Sequence, residues 1–214
     1  MLNPEHSKPL LPGPRKRRFP DFLLFGVTAV ELTILVLVTP TFTMTDWIYV
    51  SQHLIVLAIA MTRAPAAAQD RSLATAIAVV VSYAYPYAQV IYLRWAPGDL
   101  ALPEGGFVLV TLAAFLSAAS LITLGTRFGV RPALRSLASK GPYALVRHPM
   151  YLSYLLADIG YNLQEWNAGT ALMVVTGWAA LIYRICAEER ILSLDAGWRT
   201  YAGRVRYRLL PGIW

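Results

Sequence analysis

Six apolar stretches, at 22–38, 47–61, 73–93, 106–125, 150–163 and 168–186, run through the chain with short polar segments between them. A bilayer core is about 30 Å thick and takes about 20 apolar residues of helix to cross. Within it, backbone N–H and C=O groups find no water, so each segment must satisfy its own hydrogen bonds. Repeated apolar segments of this length therefore predict an all-α, polytopic membrane bundle of about six transmembrane helices. The second and fifth stretches are short and gain reach from the flanking aromatics Trp47 and Tyr151. Pro86, inside "SYAYPYAQV", predicts a kink in the third helix, because proline brings no N–H to the helical ladder.

Composition agrees: 57% of residues are hydrophobic and 14% charged, against about 45–50% and about 25% in a typical soluble domain. A net charge of +7 would suit nucleic acid if it were clustered, but its distribution points to a membrane. Arg15, Lys16, Arg17 and Arg18 precede the first stretch, and the loop after it has no Lys or Arg. The second loop carries Arg63 and Arg71, and the third only Arg94, against Asp99 and Glu104. The fourth carries Arg127, Arg131, Arg135, Lys140 and Arg147, the fifth ("QEWNAG") none, and the C-terminal segment Arg190, Arg199, Arg204, Arg206 and Arg208. This alternation is what the positive-inside rule asks of six spans with both termini in the cytoplasm. Five spans would leave a basic loop on the wrong side. The lipid bilayer is thus the expected partner, and nucleic acid is not.

Residues 1–19 read as a Pro-rich, disordered cytoplasmic tail; no small-residue cleavage site follows the first apolar stretch, so a cleaved signal peptide is not expected. Residues 20–125 hold the N-terminal transmembrane helices, and 126–214 the last two with their flanking basic segments. Cys186 is the sole cysteine, which excludes an internal disulfide, and no Cys/His spacing predicts a metal.

Chemistry concentrates on one side of the last two stretches, which are read as a helical hairpin. In "GPYALVRHPMYLSYLLADIGYNL" the triplet Arg147, His148 and Pro149 opens an apolar helix. Proline suits the first helical turn, and the free N–H groups there favour an anion. At the other end, "YRICAEER" sets Arg184 and Glu188 four residues apart on one face, with Glu189 about a third of a turn away. Each feature has a bland reading: a lipid-facing arginine, a capping histidine, an intrahelical ion pair. Their convergence on one side of a short hairpin favours a ligand site, since charged groups at membrane depth are costly.

"GPYALVRHPMYLSY", "RICAEERIL" and "Y…RVRYRLLPGIW" together resemble the isoprenylcysteine carboxyl methyltransferase family, over about residues 120–214, with "LGTRFG" at 124–129 leading in. The resemblance implies an integral-membrane methyltransferase that uses S-adenosylmethionine as cofactor. It implies cofactor contacts at Arg135, Ser136, Leu137, Ala138 and Tyr143, and at His148, Pro149, Met150 and Tyr151. Glu188 matches a carboxylate near the cofactor and Arg184 a substrate-side arginine, the two expected to act in catalysis. Arg147 and Glu189 are expected to bind the cofactor in the same cytoplasmic pocket. Arg135 and Ser136 stand where the family often has His or Gln and then Lys. The implied reaction moves a methyl group to a lipophilic or small acceptor, whose attacking atom is oxygen, nitrogen or sulfur. Membrane sterol reductases using NADPH share an Arg-His-Pro-x-Tyr entrance, but the paired carboxylates suit a cationic cofactor better than a pyrophosphate. A non-enzymatic scaffold would leave the charged hairpin without purpose.

Overall fold

The computed structural model describes residues 22–39, 42, 44–61, 66, 68–99, 102–129 and 132–214. The tail of residues 1–19, Arg63 and Arg131 lie outside them. Each apolar stretch is a helix: α1 (Phe22–Val38), α2 (Met44–Ala60), α3 (Leu73–Trp95), α4 (Pro103–Leu124), α5 (Pro149–Gln164) and α6 (Ala168–Leu192), followed by a short α7 (Ala196–Arg204). The last long helix ends at Leu192 rather than 186, so both carboxylates, Glu188 and Glu189, are helical. Segments Leu73–Leu93, Pro103–Arg127 and Ala168–Leu192 are long and apolar enough to cross a membrane. Of the other apolar stretches, α1, α2 and α5 are shorter, at 17, 17 and 16 residues.

Local chemistry sets the helix ends. Ser72 caps α3 by accepting from the Thr75 N–H at 3.2 Å. Asp70 accepts from the Ser72 N–H at 2.8 Å and from the Thr75 hydroxyl at 2.7 Å, and the backbone bond, first among these contacts, holds its carboxyl below the usual range. α4 and α5 each start on a proline in the first turn. Asn167 caps α6 and Asp195 caps α7 by accepting from Gly169 and Trp198 N–H groups. α3 runs through Pro86, which brings no N–H for the Ser82 carbonyl one turn earlier.

Two small ladders fix which loops lie together. β1 (Ala68–Gln69), after α2, pairs antiparallel with β2 (Ala133–Leu134), after α4, in the register Ala68↔Leu134. The backbones of Asp99 and Trp166 exchange hydrogen bonds of 2.9 and 2.8 Å, tying the α3–α4 loop to the α5–α6 turn. Among the described residues, the α2–α3 and α4–α5 connections thus lie together, and the α3–α4 and α5–α6 connections lie together.

The hairpin expectation needs correction. α5 and α6 follow one another across a short turn, yet they touch little: α5 packs chiefly on α4, and α6 chiefly on α3. Glycine explains the choice of partner. A Cβ on Gly106 of α4 would lie 2.4 Å from the Gly160 carbonyl oxygen of α5, and one on Gly160 would lie 2.8 Å from the Gly106 oxygen. On α6, Gly169 and Gly177 lie against the rings of Tyr92 and Tyr85 of α3. Small residues let helix backbones approach closely, which is the main source of packing energy between membrane helices. The result leaves a gap between α5 and α6 that other side chains line.

This crossing gives a direct test. Gly106→Ala must push α4 from α5, and overpacking of this kind costs about 1–3 kcal/mol. A lowered thermal midpoint in detergent is the expected readout. Gly105→Ala is the control, because its Cβ would meet nothing nearer than Leu102 Cβ at 3.9 Å. Equal midpoints for the two variants would remove the close crossing.

Candidate active site

The chain between α4 and α5 folds back over the basic end of the bundle. Gly125 and Gly141 make its sharp turns with φ of 51° and 55°, in the left-handed region that glycine enters at little cost. After Gly141 a single 3-10 turn (Gly141–Ala144) places Tyr143 inward, where its backbone oxygen accepts from the Tyr201 hydroxyl at 2.7 Å. Burial raises the Tyr201 phenol to about 12.

Behind this segment lies a cavity with about 840 Å³ of empty space, reaching from the loops to the ends of α5 and α6. Of the residues singled out in the sequence, Arg135, Ser136, Leu137, Ala138 and Tyr143 line its loop side. Arg147, His148, Met150 and Tyr151 line the α5 side, and Arg184 and Glu188 the α6 side. Pro149 and Glu189 are outside the lining. Pro149 is buried in the first turn of α5, where it shapes the backbone rather than facing the cavity.

Glu189 has a different task. Its Oε1 lies 3.1 Å from His148 Nε2 and 3.2 Å from Arg147 Nε, and its Oε2 accepts from Arg208 Nε at 2.7 Å. The C-terminal segment completes the arrangement, with the N–H groups of Arg147 and His148 donating to the carbonyls of Tyr207 and Arg208 at 2.9 Å each. Arg147 also donates to the Arg206 carbonyl at 3.2 Å and stands over the Trp198 ring. Desolvation works against the Arg147 charge and pulls it below its ordinary value, while Glu189 opposes that pull. The Arg-His pair is thus stitched to the segment 205–214 through one carboxylate, and Leu209 adds an apolar anchor against Tyr151, Leu181 and Ile185.

Glu188, half-buried, faces the cavity and accepts from the Tyr151 hydroxyl at 3.1 Å. Its field reaches the opposite wall. Burial lowers the Arg135 guanidinium from its ordinary value and the Glu188 charge opposes this; burial and then the same charge push the Tyr143 phenol well above its ordinary value. Arg184 is 3% exposed. It donates from Nη1 to the Ser82 hydroxyl of α3 at 2.8 Å, with its guanidinium over the rings of Tyr83 and Tyr151 at 5.1 and 5.3 Å.

Arg184 also lines a second cavity, lined by α1 to α6 with about 930 Å³ of empty space that includes its opening to solvent, and joined to the first through Tyr83, Phe128, Met150, Tyr154 and Arg184. The sequence did not mark Tyr83, Tyr154, Trp198 or Tyr201 as cavity residues. The aromatic density around "SYAYPYAQV" and the repeated Tyr and Arg of the C-terminal segment were the available signals.

The site is therefore one carboxylate, one deeply buried guanidinium and several aromatic walls, set where an outer cavity meets an inner one. Residues 106–194 match the model of the Isoprenylcysteine carboxyl methyltransferase (ICMT) family. No curated protein matches the chain. The matched segment begins at the Gly106 crossing and contains α5, α6 and both cavity faces they present. Over residues 106–194, less than half of its length, the chain is thus similar to the isoprenylcysteine carboxyl methyltransferase family, a family of membrane methyltransferases.

Proposed function

We propose that the protein moves a methyl group from S-adenosylmethionine to a lipophilic acceptor, with cofactor in the outer cavity and acceptor in the inner one. The observation that carries this reading is the meeting of the two cavities at Arg184, beneath the Glu188 carboxylate. The donor set fits the cofactor. Glu188 matches its cationic amino group, Arg135 and the free N–H groups opening α5 match its carboxylate, and Tyr143, Leu137 and Trp198 offer a wall for its adenine. Residues 126–214 form the cofactor-binding region in this proposal. Its basic loops face the cytoplasm and all six long helices span the bilayer.

When bound, the cofactor supplies a methyl already activated on a sulfonium, so the protein's tasks are alignment and exclusion of water. The aromatic rings of Tyr83, Tyr151 and Tyr154 narrow the junction. Arg184 holds negative charge on the acceptor's attacking atom in line with the methyl. His148 and Arg147, fixed by Glu189, hold the mouth of the outer cavity in shape.

The test is stabilisation of the purified protein by S-adenosylhomocysteine. Binding at about 100 times Kd adds about 2.7 kcal/mol. Glu188→Gln keeps shape and removes the charge, and a charge-assisted bond contributes about 1.5–3 kcal/mol. Affinity for S-adenosylhomocysteine is thus expected to fall about 10-fold to 150-fold. No stabilisation of the wild-type protein would end the reading, and an unchanged affinity in Glu188→Gln would take Glu188 out of it.

A further inference from the structure

The inner cavity holds a polar group that the site described above does not use, on helices outside the family match. Glu31 of α1 is 8% exposed, and its Oε2 lies 3.6 Å from His53 Nε2 of α2. The same nitrogen is hydrogen-bonded to the Tyr87 hydroxyl of α3. One turn before Glu31, Thr28 is 1% exposed, and its hydroxyl has no hydrogen-bond partner among the described residues. All four residues line the cavity that Arg184 enters from the other side.

A tether between helices would explain a carboxylate facing an imidazole at 3.6 Å. It does not explain the Thr28 hydroxyl, which is buried in an apolar helix with nothing to bond among the described residues. Threonine in a helix ordinarily donates to the carbonyl a turn earlier, as Thr33 does to Ala29 at 2.8 Å. A buried polar atom left open toward a cavity marks a place for a ligand's polar group. Ionisable side chains in apolar helices are costly and mark function in the same way.

We infer that Glu31, His53 and Tyr87 take up a proton from the acceptor, which is therefore a lipophilic thiol, phenol or amine rather than a carboxylate. This rests on the methyltransferase reading above. A carboxylate attacks a methyl sulfonium without losing a proton. A thiol, phenol or amine must lose one. In the proposed step the acceptor's heteroatom bonds the methyl carbon as the methyl–sulfonium bond breaks and leaves its electron pair on sulfur. The acceptor's proton goes to the hydrogen-bonded Tyr87–His53 pair, giving an imidazolium beside the Glu31 carboxylate. The Thr28 hydroxyl hydrogen-bonds the acceptor's polar head, and Arg184, from the opposite wall, favours the thiolate or phenolate of a thiol or phenol and disfavours the protonated form of an amine.

The experiment has an arm that needs no cofactor. An alkyl-substituted nitrophenol is added to the full-length protein in detergent, buffered below the probe's own solution pKa. Its ionised form is coloured. Bound to the wild-type protein it is expected to ionise, and the phenolate absorbance rises. With His53→Asn or Glu31→Gln the bound probe is expected to stay protonated. In the second arm, methyl transfer from labelled S-adenosylmethionine to dodecanethiol is expected to fall about 10²–10⁴-fold in His53→Asn, the usual contribution of a general base. Stabilisation by S-adenosylhomocysteine is expected to remain in both variants and shows that they fold. A probe that fails to bind the wild-type protein, stays neutral on it, or ionises equally on His53→Asn overturns the inference. So does methylation of dodecanoate with none of dodecanethiol or dodecylamine. Loss of the methyltransferase reading would show separately, as a wild-type protein that ionises the probe but is not stabilised by S-adenosylhomocysteine.

Discussion

Arg184→Lys is expected to lower methyl transfer about 10²–10³-fold, the loss seen when one preorganised donor is removed from a reacting centre. Lysine keeps the positive charge but loses the planar fork. The guanidinium reaches the Ser82 hydroxyl at 2.8 Å while lying over the rings of Tyr83 and Tyr151. An ammonium group is more strongly hydrated and fits neither the stack nor the fixed direction. Because Arg184 stands at the junction, stabilisation by S-adenosylhomocysteine is expected to survive while turnover falls. The measurement is label transfer to a lipid extract beside a thermal shift on the same sample. Turnover near the wild-type level would make Arg184 a packing residue of α3 and α6.

Glu189→Gln is expected to produce the largest loss of stability. The carboxylate holds Arg147, His148 and Arg208 together, and removing it leaves two guanidinium groups without their counter-charge. Breaking a buried pair costs about 3–5 kcal/mol. The lower end, about 3 kcal/mol, applies here because the Arg208 side chain is 32% exposed and water screens it. Unfolding in denaturant checks the figure. Arg208→Met in the Glu189→Gln background is expected to recover part of the loss, since it removes one of the stranded charges. A change within about 0.5 kcal/mol, typical of an ordinary surface substitution, would show that water already solvates the cluster.

The helices were the most legible part of the molecule, because apolar length and loop charge are additive along the chain and need no knowledge of partners. Phe22, Leu73 and Ala168 begin helices where the apolar stretches begin. Partner choice was not legible in the same way. Residues 150–163 and 168–186 are neighbours in sequence, but Gly106, Gly160, Gly169 and Gly177 direct their helices to α4 and α3. Within the site, the doubled glutamate could not be resolved from sequence, since adjacent helical residues point about 100° apart and either can face a cavity. The outcome depends on Tyr151 meeting Glu188 while Arg208, from the end of the chain, meets Glu189. Glu31 and His53 carried a readable signal, being ionisable residues within or beside apolar stretches, but the third member, Tyr87, is joined to them by the fold alone.

In the proposed six-span arrangement, the short helices have a consequence for the surrounding lipid. At 1.5 Å per residue, the 16 and 17 residues of α5, α1 and α2 rise about 24–26 Å. That is several Å less than the ~30 Å of hydrocarbon in an average bilayer. The membrane must thin where it meets them, at a cost of a fraction of a kcal/mol for each Å of mismatch. Headgroups are then drawn down toward the midplane beside each of α1, α2 and α5. An amphipathic molecule diffusing in that annulus arrives with its polar end already lowered toward the depth of the inner cavity. Bilayer thickness thereby becomes a determinant of how readily the protein is supplied, and membranes of different thickness are expected to support it unequally.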